Sequence, residues 1–420
     1  MRGLLYVFYR TMFCAFAKAI AGSNFISMSP PQPPIPLRAG LRSEWLLNER
    51  VTFLNHGSFG ACPRIVLDDQ AQWQRRLEAD PIELIARRGP ELLEAVKRDI
   101  GQWLGMRPGD FGLVTNATEG INAVLRSLEL APGDELLTTS HVYNAVRNAM
   151  RYVAGRAGAS YREIDLPIPM SSQQQIVAQV LCGLSDKTRL LVIDHITSPT
   201  ALIFPVEQII AGCADRGVDV LVDGAHGPGM VPLNVPAIGA AYYVGALHKW
   251  ACCPKGNAFL WARPDRQAAI HPLVISHYLG EEFRREFSWQ GTRDMAAWLA
   301  VPRALQFMAN LGWDRVMAHN HAMAVWANQM LCDRWRVIST GPPDGRMHGS
   351  MTTVPLPAPL DRLPVEEVTR LQQRLYSDFQ VEVPIVLWGG RAFVRFSCQI
   401  YNTSSEYHRL DEIVTTIASP

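Results

Sequence analysis

The stretch AAYYVGALHKWACCPKGNAFLWA, residues 240–262, holds one lysine, Lys249, between two apolar runs that read as strands. Lysine ordinarily sits in water, or snorkels from a strand end with only its stem covered. Here the flanking chain is built for burial. An amine drawn into an apolar site gives up its proton more readily. The neutral amine is a nucleophile toward a carbonyl carbon and forms a Schiff base. Asp223 lies 26 positions earlier, at the end of the apolar run in VDVLVDGAHGPG (218–229). A carboxylate there is costly unless paired. It serves either as a turn or N-cap aspartate, or as the partner of a buried cation such as a protonated pyridine nitrogen.

Working outward, apolar strand-like runs alternate with helix-like ones. FGLVT (111–115), DELLTTS (134–140), RLLVIDHI (189–196) and VDVLVDG read as strands. Between them, ATEGINAVLRSLEL, YNAVRNAMRYVAGRAG and VEQIIAGCADRG carry helical spacing. That alternation predicts an α/β fold with a largely parallel sheet covered on both faces. Ligands of such sheets bind beyond the carboxyl ends of the strands. Thr118, His141, Asp194, Asp223 and Lys249 all fall at such ends. NATEGIN (116–122) leads from strand to helix through small residues, a cradle of helix-terminal N–H groups for phosphate or simply an ordinary helix start. Past about residue 300 the texture changes. RWRVIST, GSMTTVPL, VEVPIV and AFVRFSCQIYNT look like a small mixed sheet, and SEYHRLDEIVTTIA like a closing helix. The chain is thus expected to comprise an N-terminal extension with a proline-rich linker (1–40), a large α/β domain (41–300) and a small α+β domain (301–420).

Composition narrows the function. A net charge of +1 gives no electrostatic case for nucleic acid or an anionic membrane. The eight cysteines form no CxxC pairs, so no metal site is expected and free thiols in a cytoplasmic protein are. MRGLLYVFYRTMFCAFAKAIAG (1–22) is apolar but broken by Arg10 and Lys18, against a membrane span. It is read as an extension, with Met12 and Met28 as alternative starts; the AKA stretch leaves a targeting signal as the alternative. SPPQPPIPL (29–37) follows as an extended linker.

The order of parts is phosphate turn, aromatic or His turn, strand-end Asp, then strand-end Lys. A pyridoxal 5′-phosphate (PLP) site requires that set. The chain resembles the class V aminotransferase group of fold-type I PLP enzymes, and within it is most similar to isopenicillin N epimerase-like proteins. LNHGSFGACP, NATEGIN, HVYNA, DHITSPTALIFP, VDGAHGPG, YYVGALHKW, QGTRDMAAWLAV and RFSCQIYNT carry the resemblance, from residue 54 to residue 403. It implies a mostly parallel seven-stranded sheet and a PLP cofactor held by Lys249 as a Schiff base. Asp223 pairs with the pyridine nitrogen, and His226 lies near the phenolic oxygen. Ala117 and Thr118 supply donors to the phosphate, helped by His248, and Ser198 joins the cofactor-binding set. Tyr143 stacks on the ring, with His141 as its rival. Thr292 reaches the neighbouring subunit's phosphate, which makes a homodimer the expected unit. Arg395 clamps the carboxylate of an amino-acid substrate, with Arg391 competing, and Asn55 and His56 line the entrance. No cysteine stands in VEVPIVLWGGRAF (381–393), which disfavours cysteine desulfurase. The expected function is epimerase-like chemistry at Cα, for which His56, Tyr143 and His226 are candidate second acids. A carbon–sulfur β-lyase or an aminotransferase is the alternative, and a non-catalytic binding protein the remaining one.

Overall fold

Aliphatic and β-branched runs build the centre of the molecule. Leu190–Ile193 and Val220–Val222 are sealed from solvent, as strands covered on both faces must be. The computed structural model describes residues 32–419; the readings for residues 1–31 lie outside the described residues. From Pro33 onward the chain forms one compact unit. Its first regular element is a 3₁₀ turn, Leu41–Glu44.

Twelve strands follow among the described residues: β1 (Thr52–Phe53), β2 (Phe111–Val114), β3 (Glu135–Thr139), β4 (Ser160–Ile164), β5 (Thr188–Asp194), β6 (Asp219–Gly224), β7 (Tyr242–Ala246), β8 (Ala258–Ala262), β9 (Met351–Pro355), β10 (Val381–Glu382), β11 (Ile385–Trp388) and β12 (Arg391–Ser397). Seven make one sheet in the order β2-β8-β7-β6-β5-β3-β4. Only β8 runs against its neighbours. The mostly parallel seven-stranded α/β architecture expected from the sequence is the one the chain adopts. Helices Ala117–Ser127, Asn144–Ala157, Gln173–Gly183 and Val206–Ala214 make the crossovers.

Strand alternation splits the core into two layers. Leu191, Ile193, Val220 and Val222 point into one cluster. Leu190, Val192 and Leu221 point into the other, beneath Ala117–Ser127 and Asn144–Ala157. A third cluster joins the antiparallel sheet β11-β12-β9 to the helices Trp313–Trp335, Val365–Ser377 and Ser404–Ala418. The last of these starts at a capping box between Thr403 and Glu406. β1 and β10 form a parallel pair between residues more than 300 positions apart. Among the described residues no helix is long and apolar enough to cross a membrane.

The structure differs from the sequence reading in three places. RWRVIST is no strand: the helix Trp313–Trp335 runs into it and ends at Arg336, whose φ of 56° breaks the helix. SYREI forms the edge strand β4, absent from the apolar runs because an edge with Arg162 and Glu163 on it is polar. The helix Gln173–Gly183 was likewise unread; its signal was Ser172, whose hydroxyl accepts the Gln175 N–H.

Phe259, on the strand next to the β2 edge, is fully buried, stacked on Tyr243 at 6.2 Å and edge-on to Phe111 at 6.0 Å. Phe259→Ala should lower stability by about 3–5 kcal/mol. The measurement is the urea midpoint at unchanged slope; a shift below about 1 kcal/mol would show this layer to be plastic.

Candidate active site

The carboxyl ends of the parallel strands open on a cavity of ≈ 400 Å³. β2 leads into the helix Ala117–Ser127, so Asn116, Ala117 and Thr118 present the helix's free N–H end to it. Asn116 itself caps that helix by accepting the Glu119 N–H. Asp194 closes β5, Asp223 lies next to the end of β6, and Lys249 follows β7 by three residues. Tyr143, Ser198, His226, His248 and Arg395 complete the polar lining. Ten of the residues singled out from the sequence therefore meet in one place: Ala117, Thr118, Tyr143, Asp194, Ser198, Asp223, His226, His248, Lys249 and Arg395.

A tight turn seats the lysine. Gly60, at φ 70°, lies so close behind it that a Cβ there would stand 2.0 Å from the His248 carbonyl oxygen and 2.9 Å from Lys249 Cα. Burial draws the Lys249 amine down to about 8; the nearby Arg395 adds to this, while Asp223 and Asp194 oppose it. Its Nζ lies 3.2 Å from His226 Nε2. The other nitrogen of that ring, Nδ1, accepts the indole N–H of Trp250 at 3.2 Å. Burial also holds His226 neutral. A neutral ring that accepts at Nδ1 carries its proton on Nε2. That N–H donates to the Lys249 nitrogen, which accepts only as a neutral amine.

Asp223 is 4% exposed, and its Oδ1 accepts the Ala225 N–H at 3.0 Å. Burial raises its carboxyl above the usual range. Arg395 is 8% exposed, and among the described residues no carboxylate pairs with it. Its guanidinium donates to the Ser198 carbonyl at 2.7 Å, to Ser198 Oγ at 3.1 Å and to Ser58 Oγ at 3.0 Å. Ser58 in turn donates to Asn55 Oδ1 at 2.5 Å, and Asn55 donates to Glu382 at 2.8 Å. A buried guanidinium held by neutral groups alone is set up for an incoming anion. Burial pulls it down to about 10, so it remains charged at neutral pH.

His248 donates Nδ1–H to the Asn257 carbonyl at 3.0 Å, and burial lowers it to about 4. Its Nε2 is thus a lone pair, which would face a phosphate well only after taking a proton from it. Ser198 touches Arg395, a role the sequence did not suggest. Ser58 was not singled out, and its only signal is its place in LNHGS.

The remaining candidates stand elsewhere. His141 is fully buried, bonded to Thr200 Oγ1 at 2.6 Å and to the Leu166 carbonyl at 2.7 Å, and does not line the cavity. His56 is fully buried, between the Tyr401 hydroxyl at 2.7 Å and the Lys249 carbonyl at 3.0 Å. It braces the lysine turn from outside the cavity. Asn55 stands behind Ser58, and Thr292 is exposed on a turn away from the cavity. Arg391 pairs with Asp361 at 3.5 Å. Cys398 is buried in the C-terminal core, where burial pushes its thiol up.

A Lys249 amine at about 8 reacts with an aldehyde only when neutral. Adduct formation with a small aldehyde should therefore rise about tenfold per pH unit below pH 8 and level off above it. Trp250→Phe removes the N–H that fixes the His226 tautomer, and should move this midpoint upward. Reduction of the adduct and mass mapping of Lys249 give both profiles; a wild-type rate still climbing at pH 10 would contradict the tautomer argument.

Comparison with known proteins bears on this geometry. The profile of the family described as "Aminotransferase class-V" matches residues 62–410. The chain is 34% identical to "Putative L-cysteine desulfhydrase 1" of Oryza sativa subsp. japonica, over 91% of this chain and 86% of that one. It is 31% identical to "Isopenicillin N epimerase" of Amycolatopsis lactamdurans, over 90% and 98%. In fold it resembles the cystine C–S lyase C-DES, solved with its product cysteine persulfide, with a TM-score of 0.73 at 20% identity over 87% of this chain and 97% of that one. A variant of C-DES has been solved with glycine covalently linked to its PLP cofactor. The match over most of its length, together with relatives above 30% identity, means that the chain belongs to the class V aminotransferase family of PLP-dependent enzymes.

Proposed function

We propose that the chain binds pyridoxal 5′-phosphate through Lys249 and acts at Cα of a small amino acid, as a carbon–sulfur β-lyase on cysteine-like substrates. One observation carries the reading. An amine whose proton is loosened by burial, a strand-end acid, a helix N-terminus and a buried guanidinium with no carboxylate partner among the described residues share one cavity of ≈ 400 Å³. Each fits one part of the cofactor or substrate: aldehyde, ring nitrogen, phosphate and α-carboxylate in turn.

PLP, when bound, supplies the electron sink that makes the Cα–H bond acidic. The chain's own residues do the rest. The backbone donors of Asn116, Ala117 and Thr118 hold the phosphate. Asp223 keeps the ring nitrogen cationic. Arg395 grips the α-carboxylate with its fork and so sets the Cα–H bond toward Lys249. His226 steers Nζ through its Nε2–H, and Lys249 accepts the α-proton. In the lyase reaction the Cβ–S bond then breaks and the sulfur leaves with its electron pair. The sulfur keeps its own proton, and the proton held by Lys249 completes H₂S. Water converts the remainder to pyruvate and ammonia, so cysteine plus water gives pyruvate, ammonia and H₂S.

This chemistry needs one base. Epimerisation needs a second acid, and two of the three candidates are committed elsewhere. His56 is bonded at both nitrogens outside the cavity, and His226 is bonded to Lys249 itself. Tyr143 remains, lining the cavity and 46% exposed. It supports epimerisation as the second reading, with relatives named isopenicillin N epimerase beside it. The relatives named L-cysteine desulfhydrase favour the lyase. A homodimer, with Thr292 at the neighbouring site, is proposed as the working unit, and the division near residue 300 as its two-domain frame.

The test is a panel of amino acids in heavy water with product identification. Sulfide and pyruvate from cysteine support the lyase, and deuterated substrate of inverted chirality supports the epimerase. Lys249→Ala should abolish both, together with the borohydride-trapped cofactor adduct. Arg395→Lys keeps the charge but loses the fork, and should raise KM about tenfold or more for α-carboxylate substrates. An unchanged KM would place the carboxylate elsewhere.

A further inference from the structure

The cavity holds one acid that the proposed chemistry leaves unused. Asp194 and Asp223 stand in register on neighbouring parallel strands. Such strands lie about 4.8 Å apart. Alternation sends both side chains to one face: Asp194 continues the row Leu190 and Val192, and Asp223 continues Leu221, all in one apolar cluster. Both carboxyls line the cavity, 2% and 4% exposed.

Two carboxyls this close in a dehydrated site do not both ionise. Their surroundings decide which keeps the proton. Asp223 takes the Ala225 N–H on Oδ1 and feels the Lys249 charge. Asp194 is approached by backbone N–H groups, its own and that of Tyr143, yet its Oδ2 has no partner among the described residues. Two cations favour its charged form: Arg147 is committed to Glu163 at 2.9 Å and to the Ser140 carbonyl at 3.2 Å, and Lys249 is shared with Asp223. The neighbouring His195, half-buried, and Tyr243, fully buried, are neutral and bonded to each other at 3.1 Å. A bare carboxylate oxygen at this depth is the costlier place for charge. A hydroxyl in the same place is a donor without an acceptor, in the wall of a ligand cavity.

We infer that Asp194 is a second, neutral acid of the cofactor site, whose Oδ2–H donates to an oxygen of the bound PLP while Asp223 alone faces it as a carboxylate. The inference rests on the PLP reading and deepens it. It gives the pair one negative charge, matched to one cationic ring nitrogen. The phenolic oxygen of the ring is an acceptor of the required kind.

The experiment titrates PLP into the full chain and its variants, following visible absorbance, with infrared spectra of the same samples. Asp194→Asn keeps a neutral donor, so its PLP affinity should stay within about threefold of wild type and its absorbance band should not move. Asp194→Ala loses the donor and should weaken PLP about tenfold. Asp223→Asn removes the charge, and should weaken PLP further and shift the band. The wild-type infrared spectrum should show a protonated-acid carbonyl stretch that Asp194→Asn lacks. If Asp194→Asn behaves like Asp223→Asn, or wild type shows no such stretch, Asp194 is ionised and the inference is overturned. Because the infrared band reads Asp194 without the cofactor, a misfolded Asp194→Ala leaves the test intact. Wild-type protein that takes up no PLP overturns the PLP reading and this inference together; the band alone then reports the state of Asp194.

Discussion

The hydrogen bond from the Trp250 indole to His226 Nδ1 decides which nitrogen of that ring carries its proton, and through it the state of Lys249. With Nδ1 occupied, a neutral ring turns Nε2–H toward the lysine. An ammonium would meet that N–H head on; an amine accepts it. Desolvation works in the same direction, because the strands on either side of the lysine turn leave little water to stabilise a charge. Loss of the amine's proton is thus favoured twice, by dielectric and by hydrogen-bond direction. The packing of the turn serves the same end. Gly60 lets the chain pass within contact of the His248 carbonyl, and His56 clasps the Lys249 carbonyl.

Burying so many ionisable groups does not stabilise a protein. Replacing the cluster by apolar side chains would suit the sheet better as a core. The groups are left incompletely paired: Arg395 lacks an acid, and Asp194 Oδ2 lacks any partner among the described residues. Both of these deficits fall where the cavity opens. A fold that tolerates unmet polar groups in its binding cleft gains stability when a complementary ligand arrives.

Much of this was legible in the sequence, for a physical reason. In a βαβ succession every loop after a parallel strand emerges at the same end of the sheet. Reading strand ends therefore gathered Thr118, Asp223 and Lys249 before any coordinates. The same logic fails at the scale of one or two residues. His141 and Tyr143 share a loop, and only the backbone path shows that the histidine turns inward to Thr200 and Leu166 while the tyrosine faces the cavity. It also fails for contacts made across the chain. Ser58 and Arg395 lie 337 positions apart, and no local pattern announces their bond. Nor could an apolar-run criterion see β4, whose charged side chains belong to an edge.

The short parallel pair of β1 and β10 has a consequence for how the molecule comes into being. Residues 52–58 draw several of their partners from segments beyond residue 380: Glu382 for Asn55, Arg395 for Ser58 and Tyr401 for His56. A chain emerging from the ribosome can assemble the parallel sheet early, from neighbours in sequence. The helical turn His56–Phe59 that backs the lysine must wait until the segment that carries Glu382, Arg395 and Tyr401 has been made. Until then the nascent protein holds the lysine in an unfinished wall, so the cavity is completed only after its C-terminal partners emerge.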